Sequence, residues 1–426
     1  MSRGFDTVCL VGLGYIGLPT AVVFALRGIN VIGLDVNHIA VETINRGETH
    51  ILEPGLEDAL RRTVAAGHLR ATTVPEAADA FLIAVPTPFL SNGGGHEPDL
   101  SYVEAASRSI AKVLKKGDLV VLESTSPVGA TQEMAGWLAQ ERSDLTFPQT
   151  HGDNSDIRIA HCPERILPGN ALTELVTNDR VIGGMTEACA MRARKLYKLV
   201  VEGDCIETDC RTAEMAKLTE NSFRDVNIAF ANELSLICDK LGINVWELIR
   251  LANRHPRVNI LQPGPGVGGH CIAVDPWFIV SQAPEEARII RAAREINDSK
   301  PEWVIAKVHQ AAAEHIAETG KPARIACLGL AFKPNIDDLR ESPALSIAKR
   351  IADAYPGQVD VVEPHVDALP IDFEGKAQLV SSTTGMNGAD IVVLLVDHDA
   401  FKVNPFPTDR PVRLVDTRGL WVGRPS

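Results

Sequence analysis

Cys271 is the residue whose surroundings point most directly to chemistry. It follows PGPGVGG (263–269), four glycines and two prolines within seven residues. Neither a helix nor a central strand accepts that composition, so the segment reads as a rigid loop whose backbone can approach a ligand closely. Asp275 lies four residues further on. If a helix begins at Cys271, the two side chains share a face, and a thiol at a helix N-terminus ionises more readily and becomes a better nucleophile. The alternative for any cysteine is a small buried hydrophobe; the loop before it and the acid after it favour catalysis. His270 points another way and reads as loop-stabilising.

A second group lies on AEMAKLTENSFRDVNIAFANEL. Glu214, Lys217, Asn221 and Arg224 recur at spacings of three and four, which makes one polar stripe on a helix. Two readings stand equal. The stripe is a solvated face, or Lys217 and Asn221, one turn apart, point into a cleft where Lys217 steadies an oxyanion or moves a proton.

A third motif opens the chain. VCLVGLGYIGLP carries Gly12, Gly14 and Gly17 in G-x-G-x-x-G spacing, directly after a strand pattern and at the start of a helix. Gly12 permits the tight turn, Gly14 lets the backbone near a pyrophosphate, and Gly17 lets helix pack on strand. The helix N-terminus offers N–H groups to the phosphates. Asp35 ends the next strand, where a carboxylate holds ribose hydroxyls and repels a 2′-phosphate, so NAD is favoured over NADP. The alternative is a glycine turn with no ligand.

These groups need elements to hold them. DTVCLVG, VIGLD, FLIAVP and LVVLES read as strands alternating with helical stretches such as YVEAASRSIAKVL, which implies a parallel sheet covered by helices. Two long helical blocks follow, Arg211 to about Leu241 and about Pro284 to Thr319, suggesting a helical connector with a dimer contact. RIACLGL, QVDVVEP, IVVLLV and VRLVDTRG then return to α/β character, with Ser342-Pro343 as a helix cap and first position. SNGGGHEPD (91–99) is a loop. The expected architecture is two Rossmann-like α/β domains joined by a central helical domain with a long connecting helix.

Bulk properties narrow the class. At 426 residues, 45% hydrophobic and 23% charged, the chain suits two or three soluble domains. A net charge of -13 argues against a nucleic-acid partner. No apolar run is long enough to span a bilayer, and no export signal is evident, so no membrane association and a cytoplasmic location are expected. Eight cysteines without a C-x-x-C pair fit reduced, mostly buried thiols. No His/Cys cluster has metal-ligand spacing.

Taken together, VGLGYIGLP, ESTSPVG, HCPERILPG, AEMAKLTENSF, GPGVGGHCIAVDP and GLAFKPNIDDLRES resemble the UDP-sugar 6-dehydrogenase family, in order along nearly the whole chain. Val274, where UDP-glucose enzymes usually carry lysine, and HCPERILPGN look like the N-acetylmannosamine branch. PERILPG in place of PEFLAEG puts Pro168 where a glutamate touches cofactor and substrate, which fits a different sugar. The resemblance implies an NAD-binding domain (1–205), a helical dimerisation domain (206–318) and a UDP-binding domain (319–426), in a homodimer with a shared active site. It implies a four-electron oxidation of the sugar C6 alcohol using two NAD in turn, with Cys271 forming a thiohemiacetal and then a thioester. Lys217 would then steady the oxyanion, Asn221 and Asp275 would hold water or alkoxide, and Thr125 would lie beside the nicotinamide. Glu164 would serve acid–base work in thioester hydrolysis. Arg165, Ile166, Arg224, His255, Arg257 and Gly268 match substrate contacts, Arg257 reaching the partner subunit. Phe332, Lys333 and Arg418 would meet the UDP; Tyr15, Ile16, Asp35, Thr87 and Arg340 match cofactor contacts. UDP-N-acetylglucosamine or UDP-glucose as substrate, a two-electron hydroxyacid dehydrogenase, and a non-catalytic NAD-binding scaffold are the rival readings.

Overall fold

The computed structural model describes residues 4–90, 96–166, 169–269, 271–403, 406–407 and 410–421. Pro168, His270 and residues 91–95 of the SNGGGHEPD loop lie outside them. The chain divides into two compact units, residues 1–220 and 221–426.

The first unit is built on β1 (Thr7–Val11), β2 (Asn30–Leu34), β3 (Leu69–Thr72), β4 (Ala80–Ile83), β5 (Leu119–Leu122), β6 (Arg158–His161), β7 (Arg180–Gly184) and β8 (Cys205–Asp209). Their order in the sheet is β3-β2-β1-β4-β5-β6-β7-β8, with all neighbours parallel except β6 and β7. β1 shows why its sequence is continuously apolar. Val8 and Leu10 enter the core on one face, and Cys9 and Val11 enter the core on the other. The strand order reverses between β1 and β4, so a crevice opens beyond their carboxyl ends. Helix α1 (Gly17–Leu26) starts there.

The second unit carries β9 (Ile325–Leu328), β10 (Val359–Val362), β11 (Ala377–Leu379), β12 (Ile391–Leu394) and β13 (Arg413–Asp416), all parallel, in the order β11-β10-β9-β12-β13. β9 alternates as β1 does, Ile325 and Cys327 to one core, Ala326 and Leu328 to the other. The turns match too. Gly12 (φ +91°) donates its N–H to Leu34 O, and Gly329 (φ +89°) donates to Val362 O, both at 2.8 Å. Leu13 N then donates to Asp35 Oδ2 at 2.8 Å, and Leu330 N to Glu363 Oε2 at 2.7 Å. Along the chain, two Rossmann-like α/β domains are separated by a run of helices.

The long helices are α2 (Cys210–Leu241) and α4 (Arg288–Thr319), with short α3 (Asp275–Gln282) before α4; α5 (Pro343–Ala354) follows β9. α2 has neither Gly nor Pro, and Gly242 ends it in a left-handed conformation (φ +67°). α4 begins at Arg288 rather than near Pro284. The backbone leaves helical geometry at Ala283 (ψ 62°) and Ala287 (ψ 43°), leaving a turn between α3 and α4. Ser342 caps α5, its hydroxyl accepting Leu345 N–H at 3.3 Å.

Candidate active site

In the first unit, the turn after β1 fits a dinucleotide. A Cβ on Gly17 would stand 1.8 Å from Gly12 O, and one on Gly12 would stand 2.7 Å from Ala84 O, so both positions demand glycine. Among the described residues a Cβ on Gly14 would meet nothing within 4 Å, so its backbone is open to a ligand. Among the described residues no side chain caps α1, whose cap residue is Ile16; in its first turn Leu18 N donates to Gly14 O at 3.1 Å and Pro19 has no N–H, so an anion would be met by the backbone of the glycine turn itself. Asp35 is oriented from both sides, Oδ2 by Leu13 N and Oδ1 by Asn37 N, each at 2.8 Å. A carboxylate accepts about four bonds, so lone pairs remain for ribose hydroxyls. Tyr15 is exposed beside this turn.

The loops after β4 and β5 are tied together. Thr87 Oγ1 donates to Thr125 O at 2.7 Å, and Ser124 Oγ donates to Val85 O at 2.7 Å. Glu214 on α2 holds the same segment from below, accepting from Gly129 N (2.6 Å), Thr131 N (2.8 Å) and Thr131 Oγ1 (2.6 Å). Burial raises its pKa even so.

Glu164, in the loop after β6, is buried, and that burial pushes its pKa up to about 7; the cations Lys217 and Arg180 pull against the rise. A carboxyl there can hold or release a proton near neutrality. Its carboxylate also accepts the Ile166 N–H. Arg165 takes a different place from its neighbour. It pairs with Glu220 at 2.8 Å and donates to Asp179 O at 3.3 Å, fastening the loop to α2.

The polar stripe is not a solvated face. Glu214 is 0% exposed, Lys217 8% and Asn221 7%, and only its far end, Arg224, is exposed. Leaving an amine or amide buried requires partners. In the second unit, Asn221 Nδ2 donates to buried Asp275 Oδ2 at 2.5 Å. Asp275 N in turn donates to Cys271 O at 2.9 Å. The helix begins at Asp275, not at Cys271; the thiol sits on the turn just ahead of it. Of the eight cysteines, none is in a disulfide, seven are buried, and Cys271 is exposed. Burial pushes Cys9, Cys162 and Cys327 up to about 12, which leaves them protonated at neutral pH.

A cleft in the second unit is lined by Gly266, Phe332, Pro343, Val396, Asp397 and Arg418, among others. Arg418 Nε donates to Asp397 Oδ1 at 2.7 Å. A Cβ on Gly268 would fall 2.5 Å from Glu341 O and 3.1 Å from Phe332 Cβ, so the thiol loop lies directly on this wall. The wall is strained: Glu341 is held at φ +49° without being glycine. Lys333, Arg340, His255 and Arg257 are exposed. Arg340 pairs with Asp338, and His255 Nδ1 accepts Arg257 N at 3.3 Å.

Three segments match one family by sequence: its NAD binding domain over residues 6–201, its central domain over 211–299 and its UDP binding domain over 326–422. The chain belongs to the UDP-glucose/GDP-mannose dehydrogenase family. It is 62% identical over 420 residues to the UDP-N-acetyl-D-mannosamine dehydrogenase of Salmonella typhi, covering 98% of this chain and 99% of that one. It is also 62% identical over 419 residues to the NDP-N-acetyl-D-galactosaminuronic acid dehydrogenase of Ralstonia nicotianae, covering 98% and 96%. The solved UDP-D-ManNAc dehydrogenase of Pyrococcus horikoshii superposes with a TM-score of 0.85 at 38% identity, over 98% and 97% of the two chains.

In this member of the UDP-glucose/GDP-mannose dehydrogenase family, sequence reasoning passed over the part Glu214 plays. Its spacing marked a stripe, but its partners are the backbone N–H of Gly129 and the N–H and hydroxyl of Thr131, 85 and 83 residues away. Among the described residues, no group of three His, Cys, Asp or Glu side chains could hold a metal ion, and no helix is long and apolar enough to cross a membrane.

Proposed function

We propose that this chain oxidises the C6 alcohol of UDP-N-acetyl-D-mannosamine to the carboxylate, in two successive two-electron steps, with Cys271 as covalent nucleophile. The observation that carries the reading is the sequence of contacts from Cys271 through Asp275 to Asn221: an exposed thiol on a turn that leads into buried Asp275, which accepts from Asn221 of α2. NAD would supply a hydride acceptor for each step. Gly12, Gly14, Tyr15, Ile16, Gly17, Asp35, Thr87, Thr125 and Arg340 are its proposed contacts.

As the C6 hydroxyl gives up its proton to water, Lys217 holds the developing alkoxide, and the hydrogen on C6 would leave as hydride to NAD. Asn221 and Asp275 fix the oxygen's position. Cys271 Sγ bonds to the resulting aldehyde carbon, giving a tetrahedral thiohemiacetal that again bears a removable hydrogen. Its oxidation leaves a thioester. Glu164, poised near neutrality, takes a proton from water as water attacks, and the thiolate leaves with the acid formed. Arg165, Ile166, Arg224, His255, Arg257 and Gly268 are assigned to the sugar and phosphates, and Phe332, Lys333 and Arg418 to the UDP. The chain is read as NAD-binding (1–205), dimerising (206–318) and UDP-binding (319–426) segments.

Incubation with a panel of nucleotide sugars, counting NADH per sugar and weighing the product, tests this. Two NADH per sugar with N-acetylmannosamine preferred is expected. One NADH per sugar would remove the covalent scheme. Preference for an N-acetylgalactosamine-type substrate is the second reading, favoured by the equal identity to the Ralstonia nicotianae enzyme.

A cytoplasmic homodimer completes the proposal. Phe223, Phe230, Ile237 and Leu241 are between 46% and 69% exposed on α2, spaced by seven, seven and four residues, which makes one apolar seam on the helix. A second copy of the chain covers it. Light scattering should give a dimer that Phe230→Glu dissociates; a monomeric wild-type protein would rule it out.

A further inference from the structure

A buried hydrogen-bond relay ends on the thiol loop. Arg294, on α4, donates from Nη1 to Asp225 Oδ1 at 2.7 Å, and both are almost fully buried. Asn297 Nδ2 donates to the same Asp225 Oδ1 at 2.8 Å. Asn232 Nδ2 donates to Asn297 Oδ1 at 2.8 Å, and Gly264 N donates to Asn232 Oδ1 at 2.8 Å. Asn232 and Asn297 are 0% and 1% exposed.

The direction of every link is forced. A carboxylate paired with arginine can only accept, so Asn297 must turn its NH2 towards Asp225. Its oxygen then faces Asn232, which must present its own NH2. The oxygen of Asn232 is left for the Gly264 N–H. One ion pair thus sets the orientation of two amides and anchors one backbone N–H of the loop. Stability alone is a poor reason for the arrangement. Among the described residues Asp225 Oδ2 and Arg294 Nε find no hydrogen-bond partner, and a buried pair with unmet atoms contributes little net stabilisation.

The anchored residue is tightly placed. A Cβ on Gly264 would fall 2.8 Å from Arg418 Nη1, and one on Gly266 would fall 2.9 Å from Pro343 Cβ. The loop therefore has one fitting position against the cleft wall, and Gly264 is its first glycine. We propose that Asn232, oriented through Asn297, Asp225 and Arg294, is a positioning residue that sets the register of the 264–269 loop and so the place of Cys271. This rests on the reading of Cys271 as nucleophile.

The test uses the full chain. Iodoacetamide reports on Cys271 because the other seven thiols are buried. NAD affinity, thermal midpoint and acid formation from UDP-N-acetylmannosamine are followed in parallel. Asn232→Ala and Asn297→Asp should each change the alkylation rate of Cys271 at least fivefold and lower acid formation at least tenfold, with NAD affinity within twofold of wild type. Asn297→Asp sets a carboxylate against Asp225. Adding Asp225→Asn removes that clash, lets residue 297 accept from Asn232 again, and should return the alkylation rate to within twofold. Wild-type alkylation in both single variants overturns the proposal, as does a double variant that regains its thermal midpoint without its thiol rate. If Asn232→Ala does not fold, the Asn297→Asp pair decides alone. A wild-type protein that oxidises no UDP-sugar refutes the catalytic reading, while the alkylation rates still decide the relay.

Discussion

Glu164→Gln isolates the cost of the buried carboxyl. Glu164 is 8% exposed, and its pKa in the folded chain is raised to about 7 from an ordinary 4.5. The folded state therefore binds more protons than the unfolded state between these values, and stability falls as pH rises through that window. The linkage relation gives a penalty of about 1 kcal/mol at pH 5.5 and about 3 kcal/mol at pH 8.5, a difference of about 2 kcal/mol. Glutamine has the same shape and does not titrate, so the variant escapes the penalty. At roughly 2–4 °C per kcal/mol for a unit of this size, its thermal midpoint relative to wild type should rise by about 4–8 °C between pH 5.5 and pH 8.5. Differential scanning calorimetry of both proteins at both pH values measures this directly. The same variant should lose the limb near pH 7 from the pH dependence of acid release. A midpoint difference that stays constant across the range would refute the reasoning, because it would mean that Glu164 does not ionise there.

Other substitutions probe separate parts of the site. Cys271→Ala should abolish acid formation while NAD still binds; acid production at the wild-type rate would remove the covalent step. Lys217→Ala should lower turnover roughly 100-fold, the range for losing a group that stabilises an oxyanion, with NAD affinity within twofold. If NAD affinity falls and turnover does not, Lys217 belongs to the cofactor rather than to the alcohol. Gly17→Ala puts a carbon 1.8 Å from Gly12 O, so the turn or α1 must move. Such overpacking costs about 1–3 kcal/mol or more; fluorescence titration should show NAD binding weakened at least tenfold, and unaltered binding would contradict the tight turn.

Local chemistry was readable from sequence where the signal is local. The apolar runs of β1, β2, β4 and β5 announce strands buried on both faces, and Gly12, Gly17 and Asp35 lie in the register that their turn requires. Ser342-Pro343 marks a helix start because a cap needs only its next turn. Strands β3, β6, β7, β8 and β11 were harder. They have three to five residues, and β3, β8 and β11 carry exposed or half-exposed positions that dilute the apolar pattern. Periodicity located the stripe on α2 but could not say which side it faced. Burial of Lys217 and Asn221 depends on segments distant in sequence, and no spacing rule carries that. Arg165 shows the same limit: its ion pair with Glu220 spans 55 residues. The relay through Asn232 was invisible for this reason, since each of its links joins α2 to α4 or to the thiol loop.

The repeated glycine turn has a consequence for how one plan serves two nucleotides. In the first copy, Asp35 spends one lone pair of each oxygen on the backbone and stays half-buried, still able to receive a sugar hydroxyl. In the second copy, Glu363 is nearly sealed from solvent. Its Oε2 already accepts from Leu330 N and Ala331 N and lies 3.1 Å from His398 Nε2, while Oε1 accepts from His365 N. Its Oε2 is fully occupied from within, and burial closes off the rest of the carboxylate. A ribose arriving at the second crevice finds this acid buried where the first crevice offers a reachable one, so a ligand there must be gripped by other groups, and the two halves need not compete for the same dinucleotide.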